Sequence, residues 1–142
     1  MSPAAEIAYR ISAAARRPAS WVQLLKFGLV GGSGYLINLG VFALLAGSFD
    51  VHHVAAAIGA FAVAVTNNFL WNRHWTFGPG DGPAHFQAAR FFTVSLASLG
   101  LNIAVLQLLL TTGTVGELPA QAIAVAAAMP FNFLGNKLWT FT

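Results

Sequence analysis

The sequence predicts an all-α polytopic membrane protein whose four transmembrane helices form a tandem duplicated helical hairpin with parallel repeats. Three observations carry this. Of 142 residues, 57% are hydrophobic and only 8% charged, where about a quarter of a soluble domain is charged. Four stretches lack Asp, Glu, Lys and Arg and are long enough to cross a hydrocarbon core of about 30 Å as helices. Finally, adding 64 to a residue number aligns the first half of the chain with the second without a gap, which marks a duplication.

Taken in order, residues 1–25 form a cytoplasmic N-terminal segment and 26–142 the transmembrane domain. In "AAEIAYRISAAARR", Ile7, Ile11 and Ala14 share a helical face and Glu6 precedes Arg10 by four residues. That pattern fits a short amphipathic helix on an anionic leaflet, or equally a solvated basic tail. The spans follow as Phe27–Ala46, Val54–Trp71, Phe91–Leu110 and Leu118–Gly135. The first is too long for a signal-peptide core and "ALLAGS" offers no small-x-small cleavage pattern, so it reads as a retained helix. The linker from Arg73 to Arg90 and the short loops leave no room for a soluble catalytic domain. With no cysteine, disulfide and thiolate chemistry are excluded.

Cations set the expected topology. Arg10, Arg16, Arg17 and Lys26 precede the first span, Arg73 and Arg90 bracket the linker, and Lys137 follows the fourth span. With four spans all lie on one side, which the positive-inside rule makes cytoplasmic. The expected location is the cytoplasmic (inner) membrane, multi-pass, with both termini cytoplasmic.

The repeats run over 26–77 and 90–141, and 18 of the 52 aligned positions are identical, where roughly five would arise from this composition. Each unit crosses twice, so both copies face the same way, related by an axis along the membrane normal. The densest identity joins "NFLWNRHWTF" to "NFLGNKLWTF". At 100° per residue, Asn68, Asn72 and Trp75 fall within about 60° of one another, as do Asn132, Asn136 and Trp139. On the first span Gly31, Gly34 and Asn38 form a stripe, matched by Ser95, Ser98 and Asn102 on the third. Small residues let helix backbones approach and asparagine bonds across the contact, so these faces, and the alanines of the even spans, are expected to turn inward. Asn38 and Asn102 lie about 18 Å along their helices from Lys26 and Arg90, past the midplane.

Those doubled words, with the opening "KFGLVGGSGYLINLGVF", resemble the GtrA-like family of small four-helix membrane proteins, from Lys26 to the C-terminal end. The resemblance implies a place in cell-surface polysaccharide assembly. It implies either translocation of a polyprenyl-phosphate-linked monosaccharide across the membrane or support of a partner glycosyltransferase. The pattern breaks at Trp71, which is matched by Gly135, so the copies need not act equally.

The residues themselves suit such a lipid. Arg73 and Lys137 can snorkel to headgroup depth and pair with a phosphate. Asn68, Asn72, Asn132 and Asn136 both donate and accept, which suits hydroxyls, while Trp75 and Trp139 offer flat faces to a sugar ring. Each has a plainer reading: topology marker for the cations, interfacial anchor for the tryptophans, helix clamp for the asparagines, including the deep Asn38 and Asn102. Pro130 removes a backbone donor and frees the Ala126 carbonyl for a ligand or water. His52, His53, His74 and His85 lack metal-ligand spacing, so no metal and no cofactor is expected. The only acids, Glu6, Asp50, Asp81 and Glu117, are scattered over both sides. They cannot form a carboxylate pair for sugar transfer, and none lies in a span to couple protons or to counter an exported cation. The chain is therefore read as a non-enzyme with no catalytic residues and no nucleic-acid partner. Its expected partners are membrane lipids, the lipid-linked sugar, a glycosyltransferase in the support reading, and a second copy of itself through the Gly and Ala faces.

Overall fold

Prolines set where the helices begin. In the computed structural model, which describes residues 1–142 except the side chain of His53, α1 spans Pro3–Ala15 with Ser2 as its N-cap, Oγ accepting from the Ala5 amide at 3.2 Å. Helix α2 spans Pro18–Ala43, opening on Pro18 one residue after the Arg17 cap. Proline at the first helical position loses a donor that would be unsatisfied there anyway. Helix α4, Ala84–Thr112, starts behind Pro83 and stops at Gly113, whose φ of 66° ends it in the left-handed region. These starts carry α2 and α4 well ahead of Phe27 and Phe91, where the uncharged stretches begin. Lys26 and Arg90 consequently stand inside continuous helices.

Helices α3, His53–Trp71, and α5, Glu117–Gly135, each run on into a π-helical turn, Asn72–Thr76 and Asn136–Thr140. Helix α2 ends similarly over Leu44–Ser48. Among the described residues, four helices are long and apolar enough to cross a membrane. Their outward residues include Leu36, Ile58 and Leu108 at 66–70% exposure, apolar surface that only a lipid environment explains.

The chain divides into two units, Met1–Gly78 and Pro79–Thr142, each of which contains one hairpin. In the first, α2 packs antiparallel on α3: Phe27 lies beside Phe77 and Gly34 beside Asn68, with Val30 buried between them, and the buried Ala56, Ala60 and Ala64 carry the α3 side of the seam toward its other end. In the second, Phe91 lies beside Phe141 and Val94 beside Gly135, with Ser98 buried one turn further along α4, and Ala120, Ala124 and Ala128 carry the α5 side. Every member has its counterpart 64 residues away, so the duplication seen in sequence is repeated in packing. The alanines recur every four residues, and Asn68, Asn72 and Thr76, or Asn132, Asn136 and Thr140, continue the same ridge. Along the alanine stretches, the small side chains of α3 and α5 let the helices gain dispersion contacts over their backbones.

The inward stripe expected on the odd spans is narrower than its small residues suggested. Gly34 and Ser98 are buried, but a Cβ on Gly31 would meet nothing within 4 Å. Phe27 and Val30 have more surface to bury than Gly31, and they set the rotation of α2. At Gly34 the absence of a Cβ is required, since one would overlap the Asn68 carboxamide.

Trp21 Nε1 donates to the Ala15 carbonyl at 2.9 Å, tying α1 back to α2. In the second unit, Gln87, 2% exposed, donates from Nε2 to the Pro79 carbonyl, fastening the linker around Gly80, where φ is 62°. Gln87→Ala should weaken this latch locally by about 1–2 kcal/mol. The expected result is several-fold faster proteinase K cleavage near Asp81 in micelles; an unchanged rate would show that the linker is held by something else.

Candidate functional site

Both hairpins end in the same construction at the end that carries the repeated word. The π turns close through Phe77 N to Asn72 O at 2.9 Å and Phe141 N to Asn136 O at 3.0 Å. Each seats its last phenylalanine against the opposite helix: Phe27 and Phe77 ring centroids lie 6.1 Å apart, Phe91 and Phe141 6.2 Å. The extra residue per turn redirects the side chains after Asn72. Ideal α geometry puts Asn72 and Trp75 on one face. In the structure Asn72 is 2% exposed within the seam, while Trp75 stands out at 42%. Asn136 and Trp139 divide in the same way, at 0% and 46%. Wide π turns recur at functional sites because they reorient side chains in this manner.

The cation over each tryptophan comes from the other helix. Lys26 Nζ lies 5.2 Å from the Trp75 ring centroid, and Arg90 Cζ lies 5.5 Å from that of Trp139. Arg90 also donates from Nη1 to the Trp139 carbonyl at 3.1 Å, closing the end of the π turn. Arg73 is half-buried, and Lys137 lies 5.9 Å from the Phe133 ring of its own helix. Lys26 and Arg90 are thus the cations that meet the tryptophans, and the sequence did carry a signal for them: they are aligned in the repeat, one residue before the aligned Phe27 and Phe91.

The asparagines are used unequally. Asn136 Nδ2 donates to Asn132 O and Oδ1 at 2.9 and 2.8 Å, and Thr140 Oγ1 donates to Asn136 Oδ1 at 2.8 Å. This is a closed network inside one helix end. In the first hairpin the matching oxygens, Asn72 Oδ1 and Thr76 Oγ1, are buried without a hydrogen-bond partner. Asn68 packs against Gly34 and accepts a long bond from Asn67 at 3.4 Å. Asn38 and Asn102 are half-buried deep in α2 and α4, away from these ends.

The first hairpin also holds an open groove of about 470 Å³, within the size range of small-molecule sites. Leu29, Val30 and Ile37 form one wall, Trp71 and Trp75 the other, and Ser33 and Asn67 supply its polar atoms. The two indoles meet edge to face, with centroids 6.2 Å apart. Of the residues expected to bind ligand only Trp75 lines this groove. Asn67 is legible as a member of "NNFLWN", but it has no counterpart in the second copy and so carries no signal from the repeat. Among the described residues no group of His, Asp or Glu could hold a metal, and the His53 side chain, one of the four histidines of the sequence, lies outside them.

Comparisons with known proteins cover nearly all of the chain beyond α1. Residues 26–141 match the family described as GtrA/DPMS, transmembrane domain. The chain is 31% identical over 116 residues to the uncharacterized membrane protein YngA of Bacillus subtilis, covering 82% of this chain and 77% of that one. It is 28% identical over 116 residues to a dolichol-phosphate mannosyltransferase of Pyrococcus furiosus, covering 81% of this chain but only 32% of that protein.

Proposed function

The chain belongs to the GtrA/DPMS transmembrane-domain family, and from that premise we propose that it moves a polyprenyl-phosphate-linked monosaccharide across the cytoplasmic membrane for cell-surface polysaccharide synthesis. The observation that carries this reading is the cation-capped tryptophan at the word-bearing end of each hairpin. Lys26 over Trp75 and Arg90 over Trp139 put positive charge and an aromatic face together. A sugar phosphate needs both, an anion partner and a flat apolar surface. The positive-inside distribution makes this end cytoplasmic, where the headgroup is received. Asn38 and Asn102 then provide polar groups past the midplane while the prenyl tail stays in lipid. At that end the first hairpin also holds Asn68, Asn72 and Arg73, and the second Asn132, Asn136 and Lys137. Acids are absent from the interior of the spans, so flux follows consumption of the lipid-linked sugar on the far side rather than proton coupling. The glycines at 31, 32 and 40, open around their Cα atoms, suit close contact with a second copy.

A second reading has its own support. The chain spans about a third of the mannosyltransferase it resembles, the relation expected of a membrane domain that serves a glycosyltransferase rather than transporting alone. Proteoliposomes containing only this protein separate the two. A translocase makes a polyprenyl-phosphate sugar accessible at the opposite leaflet faster than protein-free vesicles do. No acceleration by folded protein would leave the supporting role.

A further inference from the structure

The two hairpins are built to one plan, but several residues that line the groove of the first are not repeated in the second. At the position of Trp71 the second hairpin has Gly135, at Asn67 it has Phe131, and at Ser33 it has Ala97. Nor could an indole be accommodated at Gly135, because a Cβ there would lie 2.8 Å and 3.3 Å from the two Val94 methyls. One of the two indoles of the wall and both polar groups of the groove are therefore missing from the second copy.

Of the polar groups of the first copy, Ser33 Oγ donates to the Val30 carbonyl at 2.7 Å, which leaves it free to accept, and Asn67 is loosely held. Asn67 Nδ2 reaches Ser33 Oγ at 3.5 Å and Asn68 Oδ1 at 3.4 Å, beyond the usual range for N–H···O bonds. A ligand hydroxyl at normal distance would replace them with little loss. The cations differ in the same sense. Arg90 is held in place by its bond to the Trp139 carbonyl, whereas Lys26 is held over Trp75 by the ring contact at 5.2 Å. Lys26 stands one turn before Val30, and Ile37 lies about 16 Å further along α2. The groove thus runs from a cation at headgroup depth toward the apolar interior, in the order phosphate, sugar, tail.

We infer that each chain carries a single site for a polyprenyl-phosphate sugar, on the first hairpin, where Lys26 takes the phosphate and Trp71, Asn67 and Ser33 take the sugar. The second hairpin is the structural copy, its helix end closed by Arg90 and the Asn132–Asn136–Thr140 network. This assignment rests on the proposed function.

Native mass spectrometry of the protein released from nanodiscs, titrated with undecaprenyl phosphate and undecaprenyl-phosphate glucose, counts the bound lipids per chain. One of each lipid should bind per chain, with the glucose form preferred. Lys26→Gln should weaken both lipids about tenfold or more, and Lys26→Arg should restore them. Ser33→Leu, which fills the groove with a side chain at home in lipid, should weaken the glucose form most. Phe131→Ala in the second hairpin should change neither. Two lipids per chain, or weakening by Phe131→Ala as large as by Ser33→Leu, would overturn the single-site assignment while keeping the lipid-linked sugar reading. Saturable binding of neither lipid by the folded wild-type chain would overturn both.

Discussion

Exchanging Trp71 and Gly135, the mismatched pair of greatest size difference in the repeated word, is expected to have lopsided effects. Gly135→Trp should cost about 3 kcal/mol or more, the upper end of the penalty for overfilling a packed contact. The reason is local: Val94 is 6% exposed and β-branched, so its rotamer is nearly fixed in a helix and its methyls cannot swing away from the new Cβ. The opposite change, Trp71→Gly, alters a residue that is 54% exposed. It should cost only about 1 kcal/mol, mainly the helix penalty of glycine, yet remove one of the two indoles of the groove wall and with it binding and transport. Unfolding in mixed micelles by denaturing detergent measures the first quantity for both variants. Equal stability losses would show that the repeats are packed interchangeably at this point.

The second large effect separates Asn136 from Asn72, residues that occupy equivalent positions in sequence. Asn136→Ala should destabilise by about 1–3 kcal/mol, because it removes two donated bonds and leaves Thr140 Oγ1, in a residue 1% exposed, without its acceptor. Asn72→Ala removes an oxygen that has no partner to lose, so its stability should stay within about 0.5 kcal/mol of wild type or rise. Should transport fall in Asn72→Ala at unchanged stability, the unpaired oxygen is used by the ligand or in the transport cycle. If the two variants unfold alike, both asparagines are helix clamps and the difference between the hairpins is not energetic.

Much of the fold was open to a reader of the sequence because lipid imposes simple rules. A backbone in hydrocarbon must satisfy its own hydrogen bonds, so long uncharged stretches become helices, and a gapless repeat containing two such stretches becomes two similar hairpins. The alanines at intervals of four turned inward as expected, since only small residues let these backbones approach. Span starts were harder to see. Uncharged length places them at Phe27 and Phe91, whereas Pro18 and Pro83 set where the helices begin. Gly31 misled in another way, because smallness permits burial without driving it and Phe27 and Val30 controlled the rotation of α2.

The site was less legible, for a reason that lies in the π turns. The sequence alone determined that this is a duplicated four-helix membrane chain and which end of each hairpin gathers its Asn, cation and Trp residues. It also exposed a substitution, Trp71 against Gly135, at which the two copies depart from each other. Only the tertiary structure decided which side chains share space. A π turn adds a residue without adding a letter, and it sends Asn72 into the seam and Trp75 outward. The cation over each tryptophan arrives from a helix some fifty residues away in the chain. Periodicity along one helix cannot predict a contact between two, because that depends on how far the larger seam residues rotate each helix before its small ones meet.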